Sequence, residues 1–143
     1  MKLIPFEPVH ITAIDLQDDQ AGDDPYTKFN IGYGQYLHDS GAAVTGIVGD
    51  TVVFCIGKVE IWKNRHMVWA LVSKSARNHM VTITKAIKRL MKLYRGDGRF
   101  EVVVRADFEQ GHRWVRMFGF VKYTLEEKYL PNGTDARVYV RFL

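Results

Sequence analysis

The chain has 143 residues, 47% of them hydrophobic, which is enough for one domain around a single sizeable core. It contains no apolar run of about eighteen residues, which argues against a membrane-spanning helix. Its first residues, MKLIPFEP, lack the apolar segment of a signal peptide, so we expect a protein that is made and kept in a cytosol. The single cysteine, Cys55, lies in the apolar run VVFCIG, which excludes an intrachain disulfide and favours a buried thiol.

The net charge of +4 is unevenly distributed along the chain. Residues 1–60 contain three Lys or Arg and nine Asp or Glu, giving −6, whereas residues 61–143 contain 17 basic and seven acidic residues, giving +10. The basic half favours an anionic partner, such as a nucleotide, a phosphate-bearing cofactor or a nucleic acid. The alternative is a basic helix face that contacts only solvent.

The first forty residues carry mixed secondary-structure signals. Residues 2–4 predict a short strand stopped by a proline, and residues 8–17 predict a helix with a proline at its first position. The acidic, turn-rich stretch 18–24 indicates a loop. Residues 25–40 contain four aromatic residues among glycines and polar groups, which favours a short helix followed by a loop.

Three antiparallel strands are predicted between residues 42 and 72. The runs AAVTGIV and TVVFCIGKVEIW flank the turn Gly49-Asp50, as is typical of a hairpin. Gly57 inside the second run suggests a bulge or bend. After a turn at Lys63-Asn64, residues 66–72 form a short apolar run, which predicts a third strand buried on both faces.

A strand that turns directly into a helix is the central feature of the sequence. The strand at 66–72 is followed by the polar segment SKSARNH, in which Ser75 or Asn78 can cap a helix. Apolar residues then recur at three- and four-residue steps along one helical face, namely Met80, Ile83, Ile87, Leu90, Met91 and Tyr94. The free N–H groups and positive dipole end of such a helix make a potential anion site.

The C-terminal part predicts a strand, a helix and a closing hairpin. The glycines of GDG at 96–98 end the central helix near Arg95, and residues 99–106 form a β-branched strand. A second helix follows and stops at Gly119. Strands at 120–130 and 136–143 then flank the turn Pro131-Asn132-Gly133.

This order of elements resembles the fold of the GCN5-related N-acetyltransferases (GNAT) over nearly the whole chain. The stretch HRWVRMFGFVKYTLEEKYLPNGTDARVYVRF resembles the last helix, the Gly-Phe junction (Gly119-Phe120) and the final hairpin of that family. The opening IPFEPVHITAIDLQDDQ, the polar turn at 73–79 and the HRW…GF segment resemble a bacteriophage branch of this fold. That branch includes small acetyltransferase-like proteins and an internal virion protein of short-tailed phages.

The resemblance implies a single GNAT-like domain over residues 1–143. Its fold would be α+β, with a mixed, mostly antiparallel central sheet flanked by helices. The resemblance also implies acetyl-CoA as the cofactor, and a location in the host cytoplasm or inside a virion.

The resemblance implies a cofactor site around the central strand and helix. In the family, the strand before the central helix splays from its neighbour and binds the pantetheine arm, and the next turn aims N–H groups at the pyrophosphate. The residues in these positions are Leu71, Val72, Ser73, Arg77, Asn78, His79, Met80 and Thr82. The family turn has the pattern Arg/Gln-x-x-Gly-x-Gly/Ala, and here Met80 and Thr82 stand at its two small positions. A side chain such as that of Met80 holds phosphate oxygens away from the backbone.

Two residues are candidates for acid–base chemistry. Glu60 is the one carboxylate in the strands between 51 and 72, and it is either a general base or a solvent-facing side chain. His112 begins the last helix and is either a polar catalytic group or an exposed or capping histidine. The family often places a tyrosine at the position of Val115, which cannot donate a proton. His66 and His79 have no Cys or acidic partner at ligand spacing, so no metal site is expected.

Three functions are compatible with the sequence. The first is a GNAT-type N-acetyltransferase that moves an acyl group from acetyl-CoA to an amine of a small molecule or a protein. The second is a catalytically inactive GNAT-like phage protein that serves as a virion component or binds a host protein. The third is nucleic-acid binding through the basic half, for which no recognised motif is present. Three tryptophans are expected in the core, with a stacking platform for a base as the alternative: Trp62, Trp69 and Trp114.

Overall fold

A seven-stranded mixed sheet runs through the computed structural model, which describes residues 1–21 and 31–143. The strands are β1 (Lys2–Pro5), β2 (Ala43–Val48), β3 (Thr51–Trp62), β4 (Arg65–Val72), β5 (Arg99–Arg105), β6 (Val121–Glu126) and β7 (Ala136–Phe142). Their order across the sheet is β1-β2-β3-β4-β5-β7-β6, and every neighbouring pair is antiparallel except β4 and β5. The mixed, mostly antiparallel sheet predicted from the sequence is therefore confirmed.

Helices cover both faces of this sheet. They are α1 (His10–Ala13), α2 (Asp18–Ala21), α3 (Ile31–Asp39), α4 (Met80–Lys92) and α5 (Glu109–Met117), and a 3₁₀ helix at Lys74–His79 joins β4 to α4. None of the helices in the described residues is long and apolar enough to cross a membrane.

Two hydrophobic cores lie on opposite faces of the sheet. On one face, Ile83 and Ile87 of α4 and Val115 of α5 pack with a strand cluster that includes Phe54. On the other face, helices α1 and α3 pack against residues that include Cys55. Successive strand residues usually point to opposite faces, so Phe54 and Cys55, which are neighbours in β3, join different cores. Full burial of one such aliphatic side chain contributes about 1.5–3 kcal/mol.

The burial of β4 and of Cys55 agrees with the sequence predictions. In β4, Leu71 belongs to the core under α1 and α3 and Val72 to the core under α4, so this strand is buried on both faces. Cys55 is fully buried, as predicted, and burial raises the pKa of its thiol to about 11.

The N-terminal predictions are partly wrong. The helix predicted over 8–17 is confined to α1, because Ile14 is extended and Leu16 pairs with Ser73 in an isolated bridge. Ile14 and Leu16 are both buried, and an extended chain places residues two apart on the same side.

The stretch between residues 18 and 40 also differs from its prediction. The loop predicted at 18–24 contains the single helical turn α2, and the helix predicted within 25–40 lies at its end, as α3, rather than before a loop. The predicted positions 22–30 lie outside the described residues.

The bulge predicted at Gly57 is absent from that position. Strand register shifts at Gly46/Ile47 and at Glu60/Trp62, whereas Gly57 pairs regularly with Ala43 and Trp69. A Cβ at Gly57 would lie 2.6 Å from the Cβ of Ala43 and 2.7 Å from Cζ2 of Trp69. The glycine therefore makes room for the indole ring.

The tryptophans do not all lie in the core. Trp69 and Trp114 are partly buried against the two cores, but Trp62 is 61% exposed. Trp62 lies beyond the β3 irregularity, where the guanidinium of Arg65 stacks 4.7 Å from its ring centroid. The core prediction for Trp62 is wrong, because this last residue of β3 packs against an arginine and belongs to neither core.

A buried carboxylate lies on the sheet face opposite α4. Glu101 is 4% exposed and accepts hydrogen bonds from Nε of Arg99 at 2.8 Å and Nε of Arg65 at 3.1 Å. Burial alone would raise the pKa of Glu101, but the hydrogen bonds from its two arginine partners outweigh burial and lower it.

Candidate functional site

Strands β4 and β5 separate at the edge of the sheet where α4 begins. Their pairing runs from Arg65 to Val68 on β4 and from Arg99 to Val102 on β5. Beyond these residues β4 continues to Val72 without a β5 partner. The backbone groups of the last β4 residues therefore face a gap between two diverging strands, which a ligand or another segment can enter.

The side-chain amide of Gln20 occupies the β4 side of this gap. Its Nε2 donates a hydrogen bond to the carbonyl oxygen of Ala70 at 2.7 Å, and its Oε1 accepts one from the N–H of Val72 at 2.8 Å. The N–H of Gln17 donates to the carbonyl oxygen of Val72 at 2.9 Å, and Nε2 of Gln17 donates to Oε1 of Gln20 at 3.1 Å. The segment around α2 thus takes the place of a strand beside the end of β4.

A second set of contacts ties α2 to β5. The Arg105 side chain is 15% exposed and donates from Nη1 to the carbonyl oxygen of Asp19 at 2.6 Å and from Nη2 to Oδ1 of Asp19 at 2.8 Å. Its Nε donates to Asp107, and this hydrogen bond holds the pKa of the Asp107 carboxyl below its usual value. Helix α2 is therefore fixed to both strands that border the gap.

The polar turn after β4 is capped by a residue other than the two predicted ones. Ser73, rather than Ser75 or Asn78, caps the 3₁₀ helix: its Oγ accepts from the N–H of Ser75 at 3.1 Å. Its carbonyl oxygen accepts from the N–H of Ala76 at 3.0 Å. Two of the first N–H groups of the turn already have protein partners.

Acidic groups also lie at the start of this turn. The N–H of Lys74 donates to the carbonyl oxygen of Asp15 at 2.9 Å. The ammonium group of Lys74 lies 3.4 Å from the carboxylate of Asp18 and 4.0 Å from that of Asp15. An anion that approached the first turn would meet these two carboxylates, so the accessible anion-binding positions are further along the chain.

The predicted cofactor residues divide into two groups. Leu71, Val72 and Ser73 are buried, and of these Val72 directs its backbone into the gap. The remaining residues are exposed or partly exposed along the turn and the first turn of α4: Arg77, Asn78, His79, Met80 and Thr82. The N-cap residue of α4, His79, makes no side-chain capping hydrogen bond.

Glu60 lies far from the gap. It is exposed and pairs with His66 near the start of β4, four residues before Ala70, so about 13 Å of strand separate it from the first Gln20 contact in the gap. The structure does not bring Glu60 together with the predicted cofactor residues.

His112 is buried rather than exposed or capping, so that alternative for this residue is wrong. It is 4% exposed, with Nε2 at 2.8 Å from the carbonyl oxygen of Ala106 and Nδ1 at 2.8 Å from the hydroxyl of Tyr139. A carbonyl oxygen only accepts, so Nε2 donates to Ala106, while Nδ1 shares a hydrogen bond with the hydroxyl of Tyr139. Both nitrogens are engaged inside the protein. On the same helix, Val115 is buried.

The residues that shape the gap have no signal in the sequence pattern. Gln17 is the last residue of the helix predicted over 8–17, Asp19 and Gln20 lie in a stretch whose composition indicates a loop, and Arg105 is the last residue of a strand. Their roles depend on contacts between distant parts of the chain.

Comparison with known proteins was made by sequence and by structure. No protein-family model and no curated protein sequence matches the chain. Solved structures do match. Ard1 from Thermoplasma volcanium superposes with a TM-score of 0.80 at 16% identity, covering 99% of this chain and 97% of that chain. A ribosomal-protein-alanine N-acetyltransferase from Brucella melitensis gives 0.74 at 11% identity and covers 100% of both chains.

A third match was solved with ligands. The microcin C7 self-immunity acetyltransferase MccE, in complex with acetyl-CoA and AMP, gives a TM-score of 0.65 at 13% identity, covering 79% of this chain and 69% of that one. At these identities the comparison establishes the fold. The chain has the mixed α/β fold of the GNAT acyl-CoA N-acyltransferases, as the order of its elements predicts.

Proposed function

We propose that the protein binds acetyl-CoA in the gap between β4 and β5 and transfers the acyl group to an amine. The observation that carries this proposal is the amide of Gln20 at the β4 edge, which donates to Ala70 and accepts from Val72. The pantetheine arm of acetyl-CoA contains amides with the same donor and acceptor groups. An acyl-CoA can therefore make the same two hydrogen bonds once the side chain of Gln20 has left the gap.

Two residues of the turn beside the gap bear on the affinity for acetyl-CoA that we expect. Arg77 provides an exposed cation in the turn beside the gap. Met80 stands at the position where a glycine would allow a pyrophosphate to approach the backbone closely. We expect binding that is weaker than that of a glycine-rich turn.

The proposed reaction is direct attack of an uncharged amine on the thioester. The amine nitrogen forms a bond to the acyl carbon, the C–S bond breaks, and the sulfur leaves as the thiolate of CoA while the amine loses a proton. Neither predicted base serves the gap, since Glu60 lies elsewhere on β3 and both nitrogens of His112 are hydrogen-bonded internally. We assign proton removal to solvent, so the rate should rise with pH until the acceptor amine is fully uncharged.

Ligand binding and group transfer can be tested separately. Titration calorimetry and thermal unfolding with acetyl-CoA measure binding, because a ligand that binds only the folded state stabilises it. Release of the CoA thiol in the presence of a panel of small amines and peptides with free amino termini measures transfer. The absence of both heat and thermal stabilisation at millimolar acetyl-CoA would refute the proposal.

A second candidate function is that of a GNAT-fold protein without acyl transfer. It is favoured by the protein's own groups at the gap, where Gln20 and Asp15 satisfy backbone groups that a cofactor would need. In this proposal the chain is a bacteriophage protein, located in the host cytoplasm or packaged in the virion, and it acts by binding a virion or host protein. Its phage assignment derives from the sequence resemblance alone.

The two candidates give opposite results in simple experiments. Detection of the chain by mass spectrometry in purified virions, or recovery of one specific host partner, would support the second candidate. Robust transfer of an acetyl group to an amine would exclude it. Nucleic-acid binding through the basic half of the chain stays a prediction, and it requires an affinity that falls steeply with salt.

A further inference from the structure

An apolar cavity of about 110 Å³ lies beneath the C-terminal half of α4. It extends from Val68 and Val102, the last paired residues of β4 and β5, to Met91 and Tyr94 of the helix and its C-terminal end. Among the described residues that line it, Lys58 is the one with a charged side chain. Such a space suits an aliphatic group rather than a polar one.

The ammonium group of Lys58 is already engaged inside the protein. Its Nζ lies 4.7 Å from the ring centroid of Tyr94, 3.9 Å from the carboxylate of Asp97 and 3.4 Å from Nδ1 of His66. A charged ligand group would have to compete with these partners. We therefore expect the charged group of a ligand to lie outside this cavity rather than next to Lys58.

A basic depression of about 200 Å³ adjoins the cavity. The two spaces share three lining residues, Met91, Phe118 and Leu143. Four cationic side chains line the depression: Lys88, Lys92, Arg95 and Arg141. The depression thus forms a cationic mouth beside an apolar cavity.

The positive charge of this mouth is not balanced within the described part of the chain. None of its four cations makes an ion pair there with a described carboxylate. Lysines and arginines in the last turn of a helix interact favourably with its dipole, which accounts for Lys92 at the end of α4. Arg141 comes from β7 instead and donates from Nη1 to the carbonyl oxygen of Phe118. Cations from α4 with its C-terminal end and from β7 therefore line the same depression.

We propose that the cavity and its mouth form a binding site for a fatty carboxylate of medium chain length. The carboxylate lies among the cations of the mouth, and the aliphatic tail passes Met91 into the cavity. Methionine is flexible and polarisable, so this side chain can move to admit the tail. Ala70, whose carbonyl oxygen accepts from Gln20, also lines the cavity, but the fatty-carboxylate site does not depend on acyl transfer.

The head and the tail of the ligand can be tested independently. Calorimetry with octanoate at pH 8, below its micelle concentration, should give saturable binding of one equivalent. The double variant Lys88→Gln/Lys92→Gln should raise the dissociation constant for octanoate at least tenfold. Lys85→Gln is the matched control, since Lys85 is an exposed cation of α4 that lines neither space, and it should leave the affinity unchanged.

Ala70→Leu tests the tail, because Ala70 lines the cavity and the larger side chain fills part of it. This variant should abolish octanoate binding while thermal unfolding shows that the fold is retained. Octyltrimethylammonium, which has the same tail and the opposite charge, should not bind, and acetate, which has no tail, should not bind either.

Three results would overturn the proposal. They are no saturable octanoate binding by the wild type, unchanged affinity in Lys88→Gln/Lys92→Gln, and equal binding of octyltrimethylammonium and octanoate. The double variant changes only exposed side chains, so it keeps the test informative even if Ala70→Leu does not fold.

Discussion

Truncation of Gln20 to alanine should tighten the binding of acetyl-CoA. The Gln20 amide makes two hydrogen bonds at the β4 edge, to Ala70 and from Val72. A hydrogen bond of this kind contributes a net stabilisation of about 0.5–1.5 kcal/mol, so the pair favours the filled gap by about 1–3 kcal/mol. A ligand that needs the same edge is weakened by the corresponding factor, roughly 5- to 150-fold. Gln20→Ala removes that competition.

The same variant should lower the stability of the protein without ligand. The variant loses these two hydrogen bonds and the one that Gln20 accepts from Nε2 of Gln17, which lowers the free energy of unfolding by about 1.5–4.5 kcal/mol. This corresponds to roughly 3 °C in Tm for each kcal/mol in a chain of this size. The expected signature is therefore a lower Tm in the absence of ligand together with a lower dissociation constant for acetyl-CoA. General damage to the fold would lower the Tm without lowering the dissociation constant for acetyl-CoA.

Calorimetry and thermal unfolding, each with and without acetyl-CoA, measure the two quantities. Gln35→Ala is the matched control, because it makes the same truncation on α3, where Gln35 donates to Oδ1 of Asp39 at 2.9 Å on an exposed surface. It should leave acetyl-CoA binding unchanged. If Gln20→Ala loses stability but binds acetyl-CoA no more tightly than Gln35→Ala, the gap at Gln20 is not where the cofactor binds.

The central strand and helix are predictable because their signals are local. The apolar run at 66–72 and the three- and four-residue steps from Met80 onward each occupy a continuous segment, and burial on the sheet preserves both. The hairpin turn at Gly49 is equally local, since φ is +60° there and glycine adopts that conformation freely.

The contents of the gap are not predictable in this way. Gln20 is 50 positions from Ala70 in the chain, and Asp19 is 86 positions from Arg105, and no local pattern connects them. Polar side chains in an acidic stretch suit a solvated loop as well as a contact with a distant strand. Sequence patterns place the strand edge but do not show which group occupies it.

For His112, the residue type and the helical spacing lead to different predictions of burial. A histidine near the start of a helix suggests exposure or capping, but its spacing to Val115 and Phe118 places all three near one face of α5 and the segment that follows. That face is buried, and Tyr139 and Ala106 supply the two hydrogen-bond partners that a buried imidazole requires. The spacing is the better guide at this position.

Three further predictions follow from the fold. Gly57→Ala should lower the free energy of unfolding by about 1–3 kcal/mol in urea titrations, because the new Cβ meets Trp69, and an unchanged midpoint would contradict that packing. Cys55 should not react with a thiol reagent at pH 8 until the protein is unfolded, since its thiol is buried and its pKa is about 11. Folding lowers the pKa of Glu101 below its ordinary value of 4.5, so the stability from its arginine partners is present above pH 4.5 and is lost as the pH falls through the lower folded value. Between pH 7 and pH 3 the wild type should therefore lose more stability than Glu101→Gln, and parallel pH profiles in urea unfolding would show that the carboxylate is not stabilised by those arginines.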